Sequence, residues 1–213
     1  MAEPDAKTPR ERYRAQVRDE IKQHAWEQIA TAGASALSLN AIAKRMGLSG
    51  PALYRYYANR DELITELVRD AYRSLADTFR AHGDAGADLA ALARALRAWA
   101  LDDPQRYLLV YGTPVPGYQA PEDTTRIAGE IMAVLLDACA GLPLTPTEFD
   151  EHLDDHRAWA GDHPAPSSVL RRAVTFWTRL HGVLSLELAG HFAGMGFDPA
   201  RLYAAEVDAL TGP

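Results

Sequence analysis

Apolar positions recur with a helical period along most of the chain. Val17, Ile21, Ala25, Ile29 and Ala32, with Trp26 beside them, form one stripe and predict a helix over about Tyr13–Thr31, closed by Ala32-Gly33-Ala34. Leu39, Ile42, Ala43 and Met46 repeat the spacing in a short second helix that Ser38 can N-cap. Gly47-Leu48-Ser49 breaks that pattern, and a glycine there can take the positive φ of a tight turn. Pro51 suits the start of a third helix near Gly50–Tyr57, whose Leu53 and Tyr57 point back toward the second. At 100° per residue Arg55 then lies opposite the buried edge, flanked by Ala52 and Tyr54, with Tyr56 near the boundary.

Further along, Asn59-Arg60-Asp61-Glu62 reads as a capping-box variant. It opens a long helix to about Arg80, with Leu63, Leu67, Ala71, Leu75 and Phe79 on one edge. At 1.5 Å per residue that helix spans roughly 30 Å. The stretch from Ala81 to Gly86 is the predicted domain boundary in composition. Helices follow over about Asp88–Ala100 and, from an Asp103-Pro104 start, to Tyr111, then a loop over Gly112–Gly117. The next runs over about Glu122–Ala140, carrying Ile127, Ile131, Val134, Leu135 and Ala138. Thr145-Pro146-Thr147-Glu148 predicts another capping box with proline at N1, opening an acidic helix to about Trp159. The helix from Ser167 to Phe192 is apolar nearly all round, through Val169, Ala173, Phe176, Trp177, Leu180, Val183, Leu184, Leu186 and Leu188, so it needs burial on more than one face. Asp198-Pro199 opens a last helix to about Leu210. With no long alternating run, the fold class is all-α: a three-helix helix-turn-helix domain over residues 10–60, and a helical domain over 61–213 joined to it by the helix from about 59 to 80.

Charge changes the picture. The net −7 argues against nucleic acid until the chain is divided. Residues 1–60 carry ten Lys and Arg against six Asp and Glu, and the remainder carries twelve against twenty-three. A basic start on an acidic remainder suits a DNA-binding module joined to something that does not touch DNA. The segment up to about Pro9 is polar and expected to be disordered; Arg10-Glu11-Arg12-Tyr13-Arg14 then forms either an arm for phosphates or a minor groove, or a solvated helix start. No signal peptide or membrane-length apolar run is present, and the single Cys139 fits a reducing cytoplasm.

The second and third helices form a helix-turn-helix corner whose outer face offers a guanidinium and phenols, groups suited to bases and phosphates. The ordered run Ser38-Leu39-Asn40-Ala41-Ile42-Ala43, Gly47-Leu48-Ser49, Ala52-Leu53-Tyr54-Arg55-Tyr56-Tyr57 and Asn59-Arg60-Asp61-Glu62-Leu63 resembles the DNA-binding domain of the TetR family of one-component regulators. The resemblance implies double-stranded DNA as a partner, at a pseudo-palindromic operator, with the helix near Gly50–Tyr57 in a major groove and Ser49 and Gly50 at its start. It places Ser38, Lys44, Tyr54 and Arg60 on phosphates, and Asn40, Arg55 and Ala52 at bases. In the family the aromatic pair here is often His-Phe; Tyr56-Tyr57 keeps the packing role and leaves a contact by Tyr56 open. The resemblance further implies a homodimer through a four-helix bundle of the last two helices, a small-molecule effector, repression by default, and a cytoplasmic protein. Trp177, His181 and Gly182 resemble the C-terminal subgroup named for Trp, His and Gly, over roughly residues 85–210.

Candidate effector-lining residues, by helix and type, are Trp99, Tyr107, Tyr111, Met132, Leu136, Trp159, Phe176, Trp177 and His181. Each also reads as plain core. His152 and His156, with Asp155 adjacent, have the spacing of a metal pair, but the surrounding carboxylates read better as a solvated acidic face. No metal, cofactor or catalytic constellation is expected, and Cys139 lacks basic neighbours that would activate it. Two rival classes stay open: an enzyme on a helical scaffold, and a ligand-binding or protein-interaction module with a vestigial DNA-binding head.

Overall fold

The computed structural model describes residues 8–119, 121–141 and 145–212. Among them every regular element is a helix. Helix α1 (Pro9–Ala32) starts earlier than its apolar stripe predicts. The Thr8 hydroxyl accepts the Glu11 N–H, the Glu11 carboxylate accepts the Thr8 N–H at 2.7 Å, and Pro9 occupies the first turn. Arg10, Arg12 and Arg14 of the expected arm are therefore helical. The expected disorder before Pro9 falls almost wholly outside the described residues. Ala32 is exposed rather than buried, because α1 ends there against Gly33, whose φ of +78° turns the chain.

Two compact units divide the described residues. One holds the residues up to Val68 together with Pro114–Gln119; the other holds Arg69–Thr113 and the residues beyond Gln119. In the first, α2 (Leu39–Arg45) and α3 (Gly50–Leu53) meet at a corner made by Gly47, at φ +67°. Its core comprises Ile21, Ala25, Ile29, Leu39, Ile42, Leu53, Tyr57, Leu63 and Leu67, all buried. Burying side chains of this size contributes about 1.5–3 kcal/mol each. Met46, expected on the buried stripe, is the half-buried cap of α2. Helix α3 is shorter than predicted: regular geometry ends at Leu53, and a turn carries Tyr54 to Tyr56 before Tyr57 re-enters the core.

Helix α4 (Arg60–Asp84) opens as a variant of the expected box. Asn59 Oδ1 accepts the Glu62 N–H at 2.8 Å, but Glu62 accepts from Ala58 at 2.6 Å, one residue before the cap. It continues past Arg80 to Asp84 and closes through Gly86, φ +71°, with the Ala87 N–H reaching the His82 carbonyl at 3.0 Å.

The second unit is built on α5 (Leu89–Asp102), α6 (Pro104–Tyr111), α7 (Glu122–Cys139), α8 (Glu148–Asp155), α9 (Ser167–Leu188) and α10 (Pro199–Thr211). Leu75, Phe79, Leu92, Leu96, Ile131, Leu135, Leu180 and Leu184 form its interior. Asp88, Asp103 and Asp198 each cap a helix through their side chains. Two ends differ from expectation. Thr147, not Thr145, caps α8, so Pro146 precedes the helix; α8 stops at Asp155, and Arg157–Ala160 forms a 3-10 turn that carries Trp159. Helix α9 ends at Leu188, leaving Phe192 beyond it, because Gly190 takes φ +78° and the His191 N–H closes onto the Leu186 carbonyl at 2.9 Å. No helix among the described residues is long and apolar enough to cross a membrane.

Candidate nucleic-acid interface and apolar cleft

Short helices such as α2 and α3 hold their place only through their neighbours. Ser38 caps α2 by accepting the Ala41 N–H at 3.3 Å, while its own N–H donates to the Gln28 side chain at 2.9 Å. Asn40, Lys44, Ser49, Tyr54 and Arg55 are exposed; Ser38, Gly50, Ala52, Tyr56 and Arg60 are half-buried. Lys44, Tyr54 and Arg55 have no side-chain hydrogen-bond or ion-pair partner among the described residues, so their polar ends are available. Asn40 lies against the start of α3: a methyl placed on Gly50 would stand 3.9 Å from its Oδ1. Arg60 is already engaged, donating to the Ser35 carbonyl at 3.3 Å and pairing with Asp61 at 3.1 Å.

Two arginines of α1 fix the segment after α3. Arg14 donates to the Arg55 carbonyl at 3.5 Å, with its guanidinium 5.9 Å from the Tyr56 ring centre. Arg18 donates to the Tyr56 carbonyl at 3.2 Å, covers the Tyr57 ring at 4.5 Å and pairs with Glu66. Burial works against the charge of Glu66, but hydrogen bonds from Arg18 and Tyr57, with Lys22 nearby, hold its carboxyl below the usual range. The exposed face of α3 thus stands on a charged clamp.

Tyr107, Tyr111, Trp177 and His181 of the second unit pack ring to ring. His181 lies 4.3 Å from both the Tyr111 and the Trp177 ring centres. Burial pushes His181 down to about 4 and raises both tyrosines, so all three are neutral near pH 7. The Tyr107 hydroxyl lies 2.9 Å from His181 Nδ1 and 2.9 Å from Ser185 Oγ. The Tyr111 hydroxyl and His181 Nε2 are buried with no hydrogen-bond partner among the described residues.

Beside this cluster, Met132, Trp159 and Trp177 line a cleft of about 310 Å³ between α7, the 3-10 turn and α9. Trp99 lies instead at a larger polar groove of about 750 Å³ between α4 and α5, its Nε1 donating to Ser74 at 3.1 Å beneath the Arg106 guanidinium. Leu136 and Phe176 are wholly enclosed in the core and line neither space. His152 and His156 stack at 4.2 Å on the surface, and no group of three or more metal-ligating side chains occurs among the described residues. Cys139 is buried, which pushes its thiol up to about 12 and leaves it neutral.

Residues 21–67 match the family model for bacterial regulatory proteins of the tetR family, and residues 89–210 match the tetracyclin repressor-like C-terminal domain. The chain belongs to the TetR family. The HTH-type transcriptional regulators Rv1816 of Mycobacterium tuberculosis and Mb1846 of Mycobacterium bovis are each 37% identical over 215 residues, covering 92% of either chain. The crystal structure of SCO4313 is 73% identical, with a TM-score of 0.91 over 97% of this chain and 100% of its own. A Rhodococcus structure at 19% identity and TM-score 0.65, covering 98% of this chain and 97% of its own, shares the fold alone. The chain is therefore a transcriptional regulator of the TetR family with a DNA-binding helix-turn-helix.

Several residues that shape these sites escaped the sequence pattern. Arg14, Arg18 and Glu66 are far apart in the chain and show no local signal of the clamp. Gly129 lines the cleft, and a glycine inside an otherwise strong helix costs stability and is itself a cue to a nearby space.

Proposed function

We propose that this TetR-family chain acts as a cytoplasmic homodimeric repressor, with a DNA-binding domain over residues 10–60 and an effector and dimerisation domain over 61–213. The observation that carries the reading is the clamped α3 segment, whose Tyr54 and Arg55 side chains are exposed and unpaired. Arg55 and Asn40 read base edges of a pseudo-palindromic operator, with Ala52 against a thymine methyl, and Ser38, Lys44, Tyr54 and Arg60 hold phosphates. Ser49 and Gly50 bring the start of α3 close to the backbone, and Tyr56 supports it. Arg60 reaches a phosphate by giving up its Ser35 and Asp61 partners.

An outward stripe of Gly182 and Leu186 on α9, continued by its cap Ala189, with Ala204 and Ala205 exposed on α10, supports a bundle with a second copy. An effector held in the second domain favours a dimer whose two α3 helices no longer match successive turns of the duplex. Coupling is reciprocal, so DNA weakens effector binding by the same factor. The protein is thus a binder of DNA and a small molecule, with no catalytic role.

The test is selection of bound duplexes from random DNA, followed by affinity measurements on the selected and a scrambled duplex. Arg55→Ala loses about 1–3 kcal/mol on the selected duplex only. Lys44→Ala weakens both and lowers the salt dependence by about one unit of slope. Equal losses on both duplexes for both variants overturn the assignment.

A further inference from the structure

Helix α9 ends in a built projection. Past Leu188 the chain turns through Gly190, Gly194 and Gly196, all at positive φ. The loop closes on itself: the Ala193 N–H donates to the Gly190 carbonyl and the Met195 N–H to the Phe192 carbonyl, each at 3.1 Å. Phe192 and Phe197 brace it, ring to ring at 5.1 Å. Met195, between them in the chain, is 62% exposed, and Phe197 is 40% exposed. Large apolar side chains held together in water mark a surface that meets another.

The cleft between α7, the 3-10 turn and α9 is the matching hollow. The Trp159 and Trp177 indoles and Met132 wall it, no charged side chain among the described residues lines it, and its volume is about 310 Å³. A Cβ on Gly129 would meet no atom within 4 Å, so the space is open down to the α7 backbone. An unbranched thioether suits such a space: it bends to an irregular shape, and its sulfur packs well on aromatic rings.

The two features do not meet within one chain. Thr178, at the cleft, and Leu188, where the projection starts, lie about 15 Å apart along α9, and Met195 stands in solvent. They meet in a pair. In a two-fold contact, positions equally far from the axis on either side oppose one another. Gly182 is exposed and lies midway between Thr178 and Leu186, and also between Val174 and Gly190. A Cβ on it would touch nothing within 4 Å, so no bulk there holds a second helix away. A two-fold axis at Gly182, with the two α9 helices antiparallel, sets the exposed Leu186 against the partner's Thr178 and the projection over the partner's cleft.

We infer that the Met195 projection of each copy seats in the Trp159–Trp177 cleft of a second copy, so that each cleft is completed by its partner. The contact is made twice and closes the pair. It reaches beyond a bundle of the last two helices, because α7 and the 3-10 turn supply Gly129, Met132 and Trp159 to it. The inference rests on the homodimer reading and names what each copy contributes.

Sedimentation equilibrium on the full-length protein tests the energetics. Met195→Ser raises the dimer dissociation constant about tenfold or more, as loss of a buried interface anchor does. Trp159→Ala acts in the same direction, and the double variant is no weaker than the weaker single one, because the two side chains share one contact. Both residues lie at the surface of the single chain, so helix content is unchanged. Cross-linking locates the contact. The double variant Thr125→Cys, Met195→Cys, treated with a short bis-maleimide, runs at dimer mass on a denaturing gel, and either single variant runs as monomer. Cys139 does not interfere, being buried with its thiol pushed up to about 12. Unchanged dissociation in Met195→Ser, or independent losses in its combination with Trp159→Ala, overturns the inference. A wild-type protein of monomer mass overturns the homodimer reading beneath it; a wild-type dimer whose cysteine pair fails to cross-link overturns this inference alone.

Discussion

The Arg18 guanidinium on α1 donates to the main-chain carbonyl of Tyr56 at 3.2 Å, so the segment that follows α3 is held from a separate helix. The same group pairs with Glu66 at the start of α4 and lies over the Tyr57 ring. Four short residues of helix cannot hold α3 in place by themselves.

Removing the clamp should therefore weaken DNA binding without touching DNA. Arg18→Ala leaves Glu66, with only 17% of its side chain exposed, without its nearest cation. The expected cost is about 1–3 kcal/mol in stability, with a larger relative loss of operator affinity than of affinity for random duplex. Arg18→Lys restores the charge but not the fork of donors, and recovers stability better than operator choice. Urea denaturation beside duplex titrations separates the two. Wild-type operator selectivity in Arg18→Ala would show that α3 keeps its position without the clamp.

A buried neutral histidine makes stability depend on pH. His181 falls to about 4 in the fold through burial, against about 6.5 in the unfolded chain. The unfolded chain then binds the extra proton between these values, so stability is complete above about pH 6.5 and declines as pH falls toward 4. The groups facing His181 are Tyr107, Tyr111, Trp177 and Ser185, none of them charged near neutrality. The whole window amounts to about 3 kcal/mol. His181→Gln removes the titration, so its denaturation midpoint changes less than wild type between pH 7 and 4. Parallel pH profiles for the two proteins would rule this histidine out as the source.

Much of the fold was legible because punctuation and period agree. Gly47, Asp103-Pro104 and Asp198-Pro199 each place a boundary by its own backbone chemistry. The early start of α1 was also written in the chain, as Thr8-Pro9-Arg10-Glu11, a capping box with proline at N1 that lies ahead of the apolar stripe. The end of α8 had no such mark: nothing between Leu153 and Gly161 breaks a helix, and the turn that follows is held by the Arg157 guanidinium, which donates to the His163 and Ala165 carbonyls. The outward face of α3 followed from angular position, but what holds it did not. Arg18 and Glu66 are separated by the whole helix-turn-helix, and single-sequence periodicity says nothing about such pairs. In the second unit, residue type gathered the true ring cluster together with Leu136 and Phe176, because a buried aromatic or leucine beside a cavity looks the same as one in solid core.

Close approach of α4 and α7 supplies a further test. A Cβ on Gly83 would stand 2.9 Å from Val134 Cγ1, closer than atoms pack. Alanine normally stabilises a helix interior over glycine by about 1 kcal/mol. Here the β-branched valine stands in the way and must turn or shift, so Gly83→Ala should instead destabilise by about 1–3 kcal/mol. Val134→Ala in the same chain relieves the contact, giving a favourable coupling energy in a double-mutant cycle followed by thermal unfolding. Simple additivity would mean the two helices shift apart freely.

The contact between copies is best probed at Leu186. A charge at Leu184 would be the natural first choice from the apolar run of α9, but Leu184 is fully buried in its own subunit's core, and Leu188 packs against that core too. Leu184→Glu puts a carboxylate where no partner exists and should unfold the protein, which reports nothing about assembly. Leu186, 45% exposed and one turn beyond Gly182, lies on the outward stripe of α9 that is proposed to meet a second copy. Leu186→Glu should keep the helical signal and thermal transition of a folded chain while light scattering falls from dimer to monomer mass. Operator affinity falls with it, since a monomer holds one half-site instead of two. A folded Leu186→Glu protein that keeps the dimer mass would move the contact between copies off this face of α9.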